Sequence, residues 1–324
     1  MTKITNAKWE SAKPCVTVVT PVYNRASIVS RTIASVVAQT FRDFEYIIVD
    51  DGSTDDLDSV IKPFLESTDI PVMYIKKGNG GVHTARNAGV REARGTYYVG
   101  IDSDDELTPN ALQCFVDTWN SIPEEKRGLY WDVVAQCVDE HGIRSGKSFP
   151  PNINELSNKD GHKACAATNG EHLSCSLMSV RKENPFFEPE GVTFYTEVIH
   201  SALIDKKYKS FYSNEILRIY HSEGNDHLNT FLNKTKHKKT IQACRNGLWE
   251  CCYALNGWTV YKGWEGDGYL RNLLRYSVFH CILARRNDEM VSRCKLNGVK
   301  NKLLYGIFFL PVWFLSWKYE RDRM

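Results

Sequence analysis

Two hydrophobic periods alternate along the first hundred residues. Residues 15–20 (CVTVVT) form a short apolar, β-branched run, a predicted strand that stops at Pro21. Val29, Ile33, Val36 and Val37 then recur at helical spacing and predict a helix over 28–39. Residues 44–50 (FEYIIVD) make a second strand. Leu57, Val60, Ile61, Phe64 and Leu65 form a second helical stripe, with Ser53 as its expected N-cap. A third strand (72–76), a third helix opened by the glycines at 78–81 (82–93) and a fourth strand (97–101) complete the pattern. Strand–helix–strand repetition implies right-handed crossovers, hence an α/β fold with a mostly parallel sheet flanked by helices. Ligands of such sheets bind beyond the carboxyl ends of the strands. Those ends carry residues 21–24, 50–53 and 102–105, so three polar clusters are expected along one edge.

Beyond residue 110 the pattern loosens. A strand is expected over 131–138, and the Pro-, Asn- and Ser-rich stretch 146–160 reads as a loop. A helix (195–206) and a strand (208–220) follow, and from residue 240 the chain is aromatic and helical. No internal repeat is apparent.

The 324 residues are 42% hydrophobic and 25% charged, which excludes disorder, collagen and a polytopic membrane protein. The net charge of +2 disfavours a dedicated nucleic-acid binder, so no nucleic-acid partner is expected. Ten scattered cysteines and a polar start suggest reduced thiols in the cytoplasm.

The candidate chemistry lies at the strand ends. Asp102-Ser103-Asp104-Asp105 follows an apolar strand; in an extended segment Asp102 and Asp104 face the same way. Two such carboxylates suit a hard divalent cation that also holds a diphosphate. An acidic turn capping the next helix explains the same residues equally well. Asp50-Asp51-Gly52-Ser53 can accept hydrogen bonds from a ribose or a base, or simply cap a helix. The Gly80-Gly81 turn opens a helix whose N-terminus favours anions, and Arg86 on that helix can pair with an acid or a phosphate.

Taken together these segments resemble the family-two glycosyltransferases, which have the GT-A (Rossmann-like) fold. The matching pieces stand in the family's order: VTVVTPVYNR (16–25), SVVAQTFRDFEYIIVDDGSTDD (35–56), GGVHTARNAGV (80–90) and GTYYVGIDSDDELTP (95–109). They cover about the first third of the chain. The resemblance implies a catalytic domain over 1–230, with a nucleotide-sugar half (14–110) and an acceptor half (111–230). A helical, amphipathic region would follow over 231–324. It implies a pocket for the nucleobase at Pro21 and Tyr23, base binding by Asp51, and support of that strand end by Asp50. Arg86 would steady the acids or the diphosphate. Asp102-Ser103-Asp104 matches the family's Asp-X-Asp motif, which holds manganese or magnesium. The implied reaction is inverting transfer of a sugar from a nucleotide-sugar, foremost a UDP-sugar, to a glycan hydroxyl.

The family places its general base at an acidic pair in the second half. Here Thr196-Glu197 stands in that place, making Glu197 the candidate and Glu190 the runner-up. First-turn stabilisation of a helix accounts for Glu197 as well. His221, in RIYHSEGN (218–225), is the candidate third metal ligand. The pairs His162/Cys165 and His172/Cys175 admit a zinc site, although their separation is short for one.

Residues 303–317 (LLYGIFFLPVWFLSW) carry no charge but are too short, and are broken by Pro311, for a membrane span. Residues 295–324 hold six Lys or Arg against two acids, which suits peripheral contact with an anionic membrane surface on its cytoplasmic face. The run KTKHKK (234–239) adds to that charge; a buried terminal helix or a homo-oligomer contact is the alternative. A lipid-linked acceptor in surface polysaccharide assembly (O-antigen, capsule or similar) fits the tail. A nucleotidyltransferase would place a Gly-rich phosphate loop after the first strand, where this chain has Pro21-Val22-Tyr23-Asn24-Arg25. A dehydrogenase is disfavoured in the same way. A carbohydrate-binding relative without activity is the remaining alternative.

Overall fold

Both faces of the expected parallel strands are covered, so every residue of Val16–Val22 and Phe44–Asp50 is buried. In the computed structural model, residues 1–221, 238–256, 267–298 and 301–307 are described. Their elements begin with β1 (Thr2–Thr5), β2 (Val16–Val22), α1 (Val29–Val37), β3 (Phe44–Asp50), α2 (Asp58–Ser67), β4 (Val72–Lys76) and α3 (Val82–Glu92). β5 (Tyr97–Gly100), β6 (Glu106–Leu107), α4 (Ala111–Ser121), α5 (Glu124–Arg127) and β7 (Tyr130–Asp139) come next. Then follow α6 (Asn158–Thr168), β8 (His172–Leu177), α7 (Met178–Glu183), α8 (Val198–Ile204) and β9 (Lys209–Tyr220). The last described helices include α9 (Lys238–Asn256), α10 (Asp267–Ala284) and α11 (Met290–Arg293).

The chain divides into two compact units. The first comprises Met1–Phe187 and Ile204–Glu223, the second Glu188–Leu203 and Gly224–Met324. In the first unit the described strands form one sheet in the order β1-β4-β3-β2-β5-β8-β7-β9-β6. β4, β3, β2 and β5 are parallel neighbours, as the repetition predicts. On one face, Ile33 and Val36 of α1, Ile61 of α2, and Phe115 and Trp119 of α4 pack on Val18, Tyr46 and Ile48. On the other, Ala85 and Ala88 of α3 and Met178 pack on Val19, Ile47 and Ile75.

The second half of the sheet departs from a mostly parallel pattern: β8 runs antiparallel to both β5 and β7, and β6 antiparallel to β9. β8 and α6 fall where the sequence was too polar or too short in period to read as elements. Ser157 caps α6 by accepting from the Asp160 N–H. β2 also runs through Pro21, against expectation. Its pairing with β5 ends at Val19↔Gly100, so beyond that point one side of the strand is open and a missing N–H is tolerated.

In the second unit α9 packs against α10. Tyr195, Trp249 and Tyr253 stack in series at centroid distances of 4.9 and 5.3 Å. Gln242 donates to the Gly191 carbonyl (2.9 Å), and Tyr276 Oη to the Cys294 carbonyl (2.7 Å). Among the described residues no helix is long and apolar enough to cross a membrane. Most of the apolar tail (308–317) and residues 234–237 of the basic run lie outside the described residues.

Candidate active site

Parallel pairing places the carboxyl ends of β2, β3 and β4 side by side, in the register Val22↔Asp50 and Asp50↔Lys76. The loops that leave them are cross-braced. Asn24, in the left-handed region at φ 53°, donates from its N–H to Ser53 Oγ (3.0 Å) and accepts from the Thr54 N–H at Oδ1 (2.7 Å). Ser53 is therefore a loop brace; α2 begins at Asp58, and its N-cap position, Leu57, makes no side-chain cap bond. Asp50 accepts from the Ser53 N–H (2.7 Å) and from Tyr74 Oη (3.4 Å). Pro21 is buried in β2, whereas Tyr23 just beyond it is 47% exposed and offers an aromatic face to a base.

Asp51 is buried, and both its oxygens are engaged. Oδ1 accepts from Lys77 Nζ and from the Gly80 N–H (3.0 Å), Oδ2 from the Gly81 N–H (2.7 Å). Lys77 Nζ reaches on to Thr84 Oγ1 (2.8 Å). The acid thus closes the glycine turn at the head of α3, where Gly81 takes φ 95°. Lys77 was missed in the sequence, although its place directly after the third strand was a sufficient signal.

The acids after β5 form a turn in which the Asp105 N–H donates to the Asp102 carbonyl (3.2 Å). Burial still alternates: Ser103 and Asp105 point inward, Asp102 and Asp104 are partly exposed. Both acids are therefore open to solvent, in a turn rather than in the extended segment expected. Arg86 Nη2 lies 2.8 Å from Asp102 Oδ1. Desolvation opposes ionisation of Asp102, but the charges of Arg86 and Arg218 override it and hold its pKa below the usual value. Burial pushes Asp105 the other way, up to about 7, with Asp102 and Asp104 adding to the rise against Arg218.

Arg218 on β9, also missed, places Nε 3.2 Å from Asp105 Oδ2. His221, just past β9, donates its backbone N–H to Asp105 Oδ1 (3.1 Å), and its Nε2 lies 2.7 Å from Glu106 Oε1. Only Nδ1 is left for a metal without breaking that contact. Behind Arg86, the Phe186 ring centroid is 6.0 Å from its guanidinium, and Asn87 holds the Phe186 backbone at both N–H (2.9 Å) and carbonyl (2.8 Å).

Glu197 and Glu190 belong to the second unit. Glu197 stands before α8, its carbonyl accepting from the N–H groups of His200 (2.9 Å) and Ser201 (3.0 Å). Glu190 is 82% exposed and pairs with Arg293 at 3.0 Å. The zinc reading is not supported. His162 faces Asp205 at 3.2 Å, His172 stacks on Phe149, and Cys175 lies in the main core. Among the described residues no group of three His, Cys, Asp or Glu could hold a metal.

Residues 17–163 match the model of the family described as Glycosyl transferase family 2, a stretch that holds every strand-end cluster above. That segment, a little under half of the chain, is similar to glycosyl transferase family 2. A GalNAc(5)-diNAcBac-PP-undecaprenol beta-1,3-glucosyltransferase of Campylobacter jejuni is 29% identical over 216 residues, 64% of this chain and 64% of that one. The chain spans less than two thirds of the length of the curated relatives it matches, from 14% to 64%. Among solved structures, the mannosyltransferase PcManGT of Pyrobaculum calidifontis, in complex with GDP-Man and Mn2+, superposes with a TM-score of 0.52 at 15% identity. The superposition covers 96% of this chain and 85% of that one. TarS of S. aureus, in complex with UDP-GlcNAc, superposes with a TM-score of 0.50 at 15% identity, covering 93% and 79%. These likenesses establish the GT-A fold for the chain.

Proposed function

We propose that the chain transfers a sugar, with inversion, from a nucleoside diphosphate sugar to a hydroxyl of a lipid-linked glycan acceptor in surface polysaccharide assembly. The observation that carries this reading is the pair Asp102 and Asp104, turned outward beside the braced ends of parallel strands. A UDP-sugar is the foremost donor; the UDP-GlcNAc complex of TarS and the GDP-Man complex of PcManGT keep both bases in view. Tyr23 and Pro21 receive the base, with Asp50 and Asp51 holding the loops that frame it.

The donor set at the turn fits a divalent ion. Two carboxylates supply hard oxygens, and Mg2+-type sites use one or two carboxylates completed by substrate phosphates and water. Among the described residues no side chain pairs with the Asp104 carboxylate, and Asp102 keeps Oδ2 beside its Arg86 contact. Asp102 and Asp104 would hold manganese or magnesium, with donor phosphates and water completing the set; His221, the expected third ligand, is instead paired with Glu106 and does not converge with the two acids. Such an ion would offset the charge growing on the leaving diphosphate.

Glu197 takes the proton from the acceptor hydroxyl as its oxygen bonds to the anomeric carbon. The bond from that carbon to the diphosphate breaks on the opposite face, through an oxocarbenium-like transition state. Arg86 holds Asp102 in place throughout. The basic, aromatic C-terminal region keeps the protein at the periphery of the cytoplasmic membrane face, where a lipid-linked acceptor is found.

Calorimetric titration of UDP, in manganese and in a chelator, tests the reading. Wild type binds more tightly with manganese, and Asp104→Asn loses that gain. Equal wild-type affinities in the two conditions overturn the proposed donor site.

A further inference from the structure

We propose that Arg31 is a positioning residue for this reaction: from α1 it fixes the turn that presents Asp102 and Asp104 to the donor diphosphate. The inference rests on the reading of that turn as the diphosphate site.

The acid turn is held mainly from outside. From β9 come the short β6–β9 ladder and the Arg218 and His221 contacts to Asp105. From α1 and the residue after its C-cap come four side chains. Ser35 Oγ accepts from the Leu107 N–H (3.1 Å), Gln39 Nε2 donates to the Thr108 carbonyl (2.8 Å), and Thr32 Oγ1 is 3.5 Å from the Asp102 carbonyl. The fourth, Arg31, donates from Nη2 to the carbonyl of Asp104 itself.

That bond differs from the others in what it controls. Holding the Asp104 carbonyl fixes the peptide plane that follows the acid, and so limits the directions in which its carboxylate leaves the backbone. Arg31 also faces Glu106: Nε lies 3.8 Å from Oε1, the oxygen that is 2.7 Å from His221 Nε2. Arg31, Glu106 and His221 thus form a belt that crosses the turn from α1 to the end of β9. A planar guanidinium can face a carbonyl and a carboxylate at once; an ammonium is a point donor and cannot keep both geometries.

Positioning and simple charge predict opposite signs. A cation beside a metal site weakens metal binding through Coulomb repulsion, so deleting Arg31 for charge reasons alone would tighten it. Deleting a group that holds the ligands in place loosens it, typically by about 10–100-fold in metal affinity for partners of metal ligands.

The test measures UDP affinity in manganese and in a chelator, and takes their ratio as the metal-linked gain. Arg31→Met should reduce the gain about tenfold or more while leaving UDP affinity in the chelator within about twofold of wild type, because the base corner is built by other residues. Arg31→Lys, which keeps the charge, should also lose part of the gain. Glu106→Gln, which weakens the belt at its middle, should shift the ratio the same way; it serves as the second variant if Arg31→Met does not fold. A gain that is unchanged or larger in Arg31→Met overturns the proposal, as does a full gain in Glu106→Gln where Arg31→Met is unfolded. Wild type and Asp104→Asn run alongside separate the two levels. If wild type shows no gain, the diphosphate site itself is misassigned. If wild type shows a gain that Asp104→Asn loses and Arg31→Met retains, only the role of Arg31 fails.

Discussion

Lys77 Nζ, itself partly exposed, pairs with the buried Asp51 carboxylate beneath the glycine turn that opens α3. Two backbone N–H groups complete the carboxylate, so each charge is compensated where it sits. Removing one partner of such a pair strands the other, at a cost of roughly 3–5 kcal/mol. Lys77→Met should therefore destabilise the protein by about 3 kcal/mol in denaturant unfolding. The double variant Lys77→Met/Asp51→Leu should recover part of that loss. Additive losses in the two single variants and the double would show that the pair is not coupled.

Gly52 ties the second strand end to the same turn. It takes φ +79°, and a Cβ there would lie 2.6 Å from the Asn79 backbone nitrogen. Gly52→Ala must strain the backbone or push the two loops apart, each costing about 1–3 kcal/mol. We expect a lower melting temperature together with weaker UDP binding. Gly78→Ala, where a Cβ meets nothing within 4 Å, is the control and should change both little. Equal effects of the two substitutions would refute the close approach as the cause.

How much of this was legible beforehand follows from where the signals lie. The parallel half of the sheet carried its own evidence, since strands buried on both faces read as continuous apolar runs. Strand ends then located Asp50, Asp51, Asp102 and Asp104 without further information. The rest depends on tertiary pairing. β6 is two residues long and exists only because β9 lies beside it. The partner of Asp51 is 26 residues away and that of Asp105 is 113 residues away, separations at which no local period speaks. Ser53 shows the same limit: its hydroxyl serves the Asn24 loop rather than the helix that follows it in sequence.

Asp132 gives the stability a pH dependence. It is buried on β7 at an irregular register between Tyr130 and Asp132, with Arg181 and Ser210 nearby. Its Oδ1 has no hydrogen-bond partner among the described residues. Burial, aided by the Asp205 charge and opposed by Ser210, Arg181 and His162, raises its pKa from the ordinary 3.8 to about 7. Between those values the folded state binds more protons than the unfolded one, so stability falls as pH rises. The contribution is complete below about pH 4 and is lost as pH passes 7. Asp132→Asn removes it. The variant should gain on wild type between pH 5 and pH 8, by roughly 2–4 kcal/mol at most. Asp105 drifts in the same direction but is common to both proteins; His162, raised in part by the Asp132 charge, responds to the substitution, so the difference reports Asp132 together with that coupling. A difference that stays constant across this range would show that Asp132 does not titrate there.

The general base is decided by comparing two glutamates. Glu190 is mostly exposed and is paired with Arg293, a surface contact of small energetic worth. Its replacement by glutamine should leave both stability and transfer close to wild type. Glu197 precedes α8, and glutamine there preserves size and the backbone contacts to His200 and Ser201 while removing the capacity to accept a proton. Donor binding should therefore persist in Glu197→Gln, and sugar transfer should fall by about 10²–10⁴-fold, the usual worth of a positioned acid or base. Transfer is measured with a UDP-sugar and a hydroxyl acceptor, and donor binding by calorimetry with manganese. A fall in the turnover number at unchanged donor affinity is the signature of a group that acts in the transition state. If Glu190→Gln abolishes transfer while Glu197→Gln keeps it, the base is Glu190, and Glu197 serves only the first turn of its helix.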